Sequence, residues 1–201
     1  MSCVELALPD ADVRCWPDAF VTQGDDWFDT LRAEIDWLQH EPMIFGRRVK
    51  APRLSAWHGE AGIRYRYSGI TLDALPWTPT VQQIRDAVQA LVPCSLAPHG
   101  FNSVLLNLYR DGADAMGWHS DDEAELGVDP VIASVSLGAC RRFSLRHRHR
   151  SDVERVDLDL SHGSLLLMAG STQRYWQHSL PRRRDVDAPR INLTFRQVVG
   201  R

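Results

Sequence analysis

Nowhere in the 201 residues does an apolar run come near the roughly 20 that a membrane-crossing helix requires. The opening stretch, MSCVELALPDADVRCW, has neither the basic start nor the apolar core of a secretory signal, so a soluble chain of the cytoplasm is expected, without membrane contact. Cysteine is sparse. Cys3, Cys15, Cys94 and Cys140 form no C-x-x-C pair, which leaves no signal for a zinc knuckle or a disulfide framework and suits a reducing compartment. Lysine is all but missing, Lys50 standing alone among 23 basic residues. The base composition of a gene produces that bias unaided, although arginine's planar fork also suits phosphate and carboxylate. Repeats and low-complexity linkers are lacking too. With 44% hydrophobic residues, one domain spanning residues 1–201 and one sizeable core are expected.

Strong net charge is a further absence. At −3 the chain is not built to coat itself non-specifically in nucleic acid. The distribution is uneven, however. Arg141 to Arg155 holds six arginines against Asp152 and Glu154, and Arg182 to Arg196 holds five against Asp185 and Asp187. Those two stretches carry +4 and +3, so the remainder carries −10.

Trp27, Phe28, Leu31, Ile35 and Leu38 recur at three- and four-residue steps behind Asp25 and Asp26, which predicts an amphipathic helix over residues 25–40, ending before Pro42. Val81, Ile84, Val88 and Leu91 share the face of a second helix between Pro79 and Pro93. After Gly100 the texture changes to short segments rich in β-branched and aromatic residues: FNSVLLNLYR, VIASVSLG, RRFSLRHR, VERVDLDL, SLLLMAG and INLTFRQVV. Helices followed by closely spaced strands predict a β-sandwich or jelly roll buttressed by N-terminal helices. The stretch from Ile44 to Leu72 reads as extended pieces and turns joining the two parts.

The stretch MGWHSDDEAELG sets a histidine directly before a run of acids. In an extended backbone His119 and Asp121 point to one face while Ser120 points away. A third group has to come from elsewhere, and His178 in QRYWQHSLP is the best-placed candidate. Two imidazoles and one carboxylate on one side of a metal suit a non-haem Fe(II) oxygenase; zinc with a bound water accepts the same set. A solvated acidic turn is the plain alternative for His-x-Asp alone. In PRINLTFR the polar residues Arg190, Asn192, Thr194 and Arg196 alternate with Ile191, Leu193 and Phe195. Two arginines on an inward face call for an anion, and a dicarboxylate co-substrate is one. Asn107 and Tyr109, two apart on another strand, add an amide and a phenol to the same pocket.

NLYRDG, WHSDDE, QHSLP and PRINLTFR, in this order and at these separations, resemble the AlkB family of Fe(II)- and 2-oxoglutarate-dependent dioxygenases, which remove alkyl lesions from nucleic-acid bases. The similarity runs from about Phe45 to Val199. It implies a mainly β fold with flanking helices, a double-stranded β-helix. It implies Fe(II), 2-oxoglutarate and O2, with His119, Asp121 and His178 as catalytic metal ligands and Asn107, Tyr109, Arg190, Asn192, Thr194 and Arg196 holding 2-oxoglutarate. It also implies a nucleic-acid substrate, alkylated DNA before RNA, with no obligate protein partner.

On the substrate side the resemblance implies that Phe45 and Gly46, in MIFG, belong to an apolar finger that fills the gap left by a flipped base. Tyr65 and Tyr67 match lid residues, Tyr67 stacking on the extruded base opposite His119. Asp122 faces the base's exocyclic amino edge, where a carboxylate favours a cationic lesion such as 1-methyladenine or 3-methylcytosine, and Glu123 assists. Each has a plain structural alternative: a turn-capping aspartate, strand tyrosines, a core phenylalanine. RHRHR, Arg146 to Arg150, reads as a phosphate-contacting hairpin or a solvated loop. His58 stands where the family often has tyrosine. The expected layout is an N-terminal helical extension (1–40), a substrate-recognition lid (41–75), and a helix plus the catalytic β core (76–201). Two other functions share these residues: a 2-oxoglutarate dioxygenase acting on a protein side chain or small metabolite, and a catalytically silent module that binds damaged nucleic acid.

Overall fold

Alternation of polar and apolar residues sorts the chain into layers. The computed structural model describes residues 2–41, 43–44, 46–67 and 70–199, with the backbone alone for residues 44, 65–67 and 70–72. In chain order the elements are β1 (Val4–Leu6), β2 (Asp12–Trp16), α1 (Val21–Glu34), β3 (Met43–Ile44), β4 (Arg47–Arg48), β5 (Leu54–Gly59), β6 (Arg64–Tyr67), β7 (Ile70–Asp73), α2 (Pro79–Leu91), β8 (Ser103–Tyr109), β9 (Met116–His119), β10 (Ile132–Gly138), β11 (Arg141–His147), β12 (Val156–Leu160), β13 (Ser164–Ala169), α3 (Thr172–Tyr175), β14 (Trp176–Leu180) and β15 (Arg190–Arg196). A seven-stranded sheet runs in the order β1-β2-β13-β10-β15-β8-β5, and a four-stranded sheet in the order β12-β11-β14-β9. The ladders within both are antiparallel.

The large sheet is buried on both faces. Ile191, Leu193 and Phe195 of β15, with Val135 and Leu137 of β10 and Leu165 and Leu167 of β13, meet Trp27 and Leu31 of α1 and Val81, Ile84 and Val88 of α2. Leu166 and Met168 of β13 face the other way and pack with Phe143, Leu145 and Trp176 of the small sheet. Between the two sheets lie the polar partners of β15, so the fold is a jelly roll with its helices laid on the outer face of the larger sheet.

Three expectations change. The first helix begins at Val21 and ends at Glu34, not over residues 25–40. Its start has no side-chain cap; the Phe20 N–H donates to the Gly163 carbonyl at 2.8 Å and the Phe20 ring packs on Trp27, so tertiary contacts replace the capping role expected of the aspartates. Ile35 leaves the helix with extended backbone, and Leu38 exchanges hydrogen bonds with Ser55, which draws residues 35–38 to the sheet edge. Second, residues 1–40 are no helical extension alone, because β1 and β2 precede α1 and β2 pairs with β13. Third, the expected lid of residues 41–75 contains β5, an edge strand of the large sheet paired with β8; only the hairpins β3–β4 and β6–β7 flank it. The second helix starts at Pro79, where Thr78 Oγ1 accepts from the Val81 N–H, and ends at Leu91.

Candidate active site

His119 closes β9, and His178 lies directly opposite it on β14. Their rings stand edge to face with centroids 4.2 Å apart. Asp121, just past the strand end, brings Oδ1 to 3.9 Å from His119 Nε2. One ligand atom from each of His119, Asp121 and His178 lies within 4.8 Å of the other two, the one such group among the described residues. His119 Nδ1 is 2.9 Å from the Gly117 carbonyl, which only accepts, so Nδ1 carries a hydrogen and Nε2 is the nitrogen turned toward Asp121.

Electrostatics prepare this set for a cation. Burial pushes the His178 imidazole down to about 3, with His119 adding to the effect, so the ring is neutral at physiological pH. Burial works in the opposite sense on Asp121, but Arg196 and the two imidazoles outweigh it and hold the carboxyl at about 2. Arg196 Nη2 donates to Asp121 Oδ2 at 2.9 Å, both side chains being buried. The Phe143 ring stacks on His178 at 5.3 Å and shields it.

The polar face of β15 lies in the same cavity, which Asn107, Tyr109, Arg190, Asn192, Thr194 and Arg196 line together with His119, Asp121 and His178. Arg190 is fully buried: its Nη2 donates to Ser136 Oγ at 2.8 Å, while Nε and Nη1 meet no acceptor among the described residues. Burial lowers it to about 10, which leaves it a cation at neutral pH. A buried cation with two unused donors in a planar fork fits a carboxylate. The guanidinium groups of Arg141 and Arg190 each lie over the Tyr109 ring, 5.8 Å and 5.5 Å from its centroid. Asn192 is engaged in the sheet: its amide donates to Ser134 Oγ and the Val135 carbonyl, and its oxygen accepts from Thr194. Asn107 accepts from Arg53 Nε at 2.8 Å.

The remaining expected residues are not among the described residues that line the cavity. Asp122 is paired with Arg148 at 2.9 Å, and Glu123 precedes a short 3-10 turn. Gly46 lies in the exposed β3–β4 turn with φ of 77°. Phe45 is outside the described residues, as are the side chains of Tyr65 and Tyr67, whose backbone forms β6. In the arginine hairpin, Arg146 covers the Trp118 ring at 4.3 Å and Arg150 pairs with Asp152. His58 is buried away from the cavity and donates from Nδ1 to the Pro76 carbonyl, tying β5 to the segment before α2.

Sequence reasoning missed Arg53, Ser134, Ser136 and Gln173. The serines alternate with Ala133, Val135 and Leu137, the same period-two signal that marks β15. Arg53 and Gln173 carry no such mark.

The sequence signature of the 2OG-Fe(II) oxygenase superfamily matches residues 17–196. The chain is 44% identical over 186 residues to the DNA oxidative demethylase ALKBH2 of Mus musculus, covering 88% of this chain and 76% of that one. It is 43% identical to the DNA oxidative demethylase ALKBH2 of Homo sapiens, covering 88% and 69%. With the human alpha-ketoglutarate-dependent dioxygenase alkB homolog 3 it shares 40% identity, covering 92% and 66%. A solved structure of OsALKBH1 superposes with a TM-score of 0.64 at 20% identity, over 96% of this chain and 99% of that one.

Proposed function

The chain belongs to the 2OG-Fe(II) oxygenase superfamily, among its AlkB dioxygenases, and from that premise we propose that it oxidatively demethylates N-alkylated bases in DNA, such as 1-methyladenine and 3-methylcytosine, using Fe(II), 2-oxoglutarate and O2. Succinate and carbon dioxide from the co-substrate, and formaldehyde and the unmethylated base from the lesion, are the products. The observation that carries this reading is the convergence of two imidazoles and one carboxylate within 4.8 Å, in a cavity that also holds a buried arginine with unused donors.

His119, Asp121 and His178 are assigned to hold Fe(II), which together with 2-oxoglutarate and O2 supplies the oxidant for an otherwise inert C–H bond. Arg190 binds the distal carboxylate of 2-oxoglutarate through Nε and Nη1. Arg196 holds Asp121 ionised and presents its positive charge to the same cavity, with Asn107, Tyr109, Asn192 and Thr194 shaping the walls. Leu105, Met116, Phe143, Met168 and Leu180 line the cavity between these polar groups and keep water from competing for the reacting carbon. On the substrate side Phe45, Gly46, Tyr65, Tyr67, Asp122 and Glu123 are assigned to the flipped base. 1-Methyladenine and 3-methylcytosine carry positive charge, and such a base replaces Arg148 as the counter-ion of Asp122.

The test is formaldehyde release from oligonucleotides carrying one 1-methyladenine, DNA and RNA side by side, with Fe(II) and 2-oxoglutarate. Release from DNA that collapses in Asp121→Ala is expected. Turnover of 2-oxoglutarate without formaldehyde from either polymer redirects the enzyme to a protein or metabolite substrate, and DNA binding unaffected by Asp121→Ala without turnover leaves only a binding module.

A further inference from the structure

A strand that ends early must give its next backbone groups another partner. In the β14–β9 ladder His178 is opposite His119, and the same register carried on would set Asp121 opposite Trp176. The ladder does not carry on. The Trp176 carbonyl accepts from the Ser120 hydroxyl at 2.8 Å, and the Asp121 N–H donates to Gln173 Oε1 at 2.9 Å. Two side chains therefore make the contacts that backbone would make in a continuing strand.

The consequence is metric. His119 Nε2 and Asp121 Oδ1 are 3.9 Å apart, a separation that depends on where the backbone after the strand end is held. The contacts of Ser120 to Trp176 and of Asp121 to Gln173 hold the backbone from which the carboxylate reaches the imidazole. Gln173 is itself fixed. It is 1% exposed, and its Nε2 donates to Met168 Sδ at 3.6 Å, so the amide has one orientation, oxygen toward Asp121. The single turn α3 that carries it is tied to the N-terminal segment: Thr172 Oγ1 accepts from the Asp12 N–H at 3.0 Å, Ser171 Oγ donates to the Asp10 carbonyl at 3.0 Å, and Trp176 Nε1 donates to the Pro9 carbonyl at 2.8 Å.

The geometry points to Gln173 as a positioning residue for the Asp121 carboxylate, with Ser120, anchored on the Trp176 carbonyl, as its counterpart; this rests on reading His119, Asp121 and His178 as metal ligands. Together they set the spacing of carboxylate and imidazoles before a metal arrives. Without the Gln173 acceptor, the buried Asp121 N–H has lost its partner and the chain at Asp121 is released, so the ligand set has to be gathered at the moment of binding.

Gln173→Met keeps the length of the side chain and removes the acceptor. Titration of Mn(II) into the full chain, followed by calorimetry, is expected to show affinity weakened about 10- to 100-fold. Ser120→Ala is expected to weaken it in the same direction. In turnover with Fe(II) the KM for a methylated oligonucleotide stays at the wild-type value while kcat falls, a split that general loosening of the fold does not produce. A folded Gln173→Met protein with Mn(II) affinity within twofold of wild type overturns the proposal, whatever its melting temperature. If that variant shows no cooperative melt, Ser120→Ala is judged by the same criterion. A wild-type chain that binds no Mn(II) at one-to-one stoichiometry overturns the metal reading itself, a failure separate from that of the positioning role.

Discussion

Asp121 and His178 are pushed in the same direction by different forces, and acid reveals each in its own window. His178 sits at about 3 in the folded chain because burial penalises its charged form, against about 6.5 when unfolded. As pH falls below 6.5 the unfolded state takes up the proton first, so stability declines down to about 3 and is then level. Asp121, held at about 2 by Arg196 and the imidazoles against the pull of burial, contributes stability above its unfolded value near 3.9 that is lost as pH falls toward 2. Between pH 7 and 5 only the first window is open. Urea unfolding of the metal-free chain is expected to show a loss of about 2 kcal/mol from this histidine over that range, and His178→Gln to show a flatter profile; equal slopes would assign the effect elsewhere. Arg190 gives a second prediction at this scale. If it pairs with the co-substrate as proposed, replacing it by Met is expected to raise the KM for 2-oxoglutarate in a succinate assay roughly 10- to 100-fold, the effect of a hydrogen bond to a charged group. The His-x-Asp spacing and the alternation along PRINLTFR made these residues legible, because both are periodic signals. Gln173 and Arg53 were not legible: their contacts reach across 52 and 54 residues, and a single long-range hydrogen bond leaves no period in the sequence.

At the scale of elements, the N-terminal strands explain what a helical extension did not. β2 pairs along β13, and residues 9–12 hold the β13–α3–β14 connection through Trp176, Ser171 and Thr172. Three-residue and five-residue strands with uneven burial give little alternation to read. The longer strands β8, β10, β13 and β15 were readable for the opposite reason, since they are continuous and apolar on at least one face. The boundaries of α1 were misread because its start depends on Gly163 in a distant turn and its end on Ser55 at the sheet edge. Thr172→Val keeps the shape of the side chain and removes an acceptor for the Asp12 N–H, so a loss of about 1 kcal/mol is expected in urea unfolding. A variant as stable as wild type would show that β2 holds its place without that contact.

On the scale of the whole molecule, charge is divided between rim and interior. The arginine hairpin is exposed and partly paired, while Arg190 and Arg196 lie inside. Salt screens the first far more than the second. Raising ionic strength is therefore expected to increase the KM for an oligonucleotide while leaving the KM for 2-oxoglutarate nearly unchanged; parallel changes in both would place the co-substrate's counter-ions in solvent. The two enzymatic readings of function share one spatial requirement that a binding module lacks, a single metal held by two imidazoles and a carboxylate with the keto acid anchored at Arg190. The direct measurement is an anaerobic titration of the Fe(II)-loaded chain with 2-oxoglutarate, followed by the visible charge-transfer absorption of the chelated keto acid. The band is predicted to appear in the wild type, to be lost in Asp121→Ala and His178→Ala, and to require more 2-oxoglutarate in Arg190→Met. A wild type without the band, or a band unchanged when His178 is removed, would contradict the account.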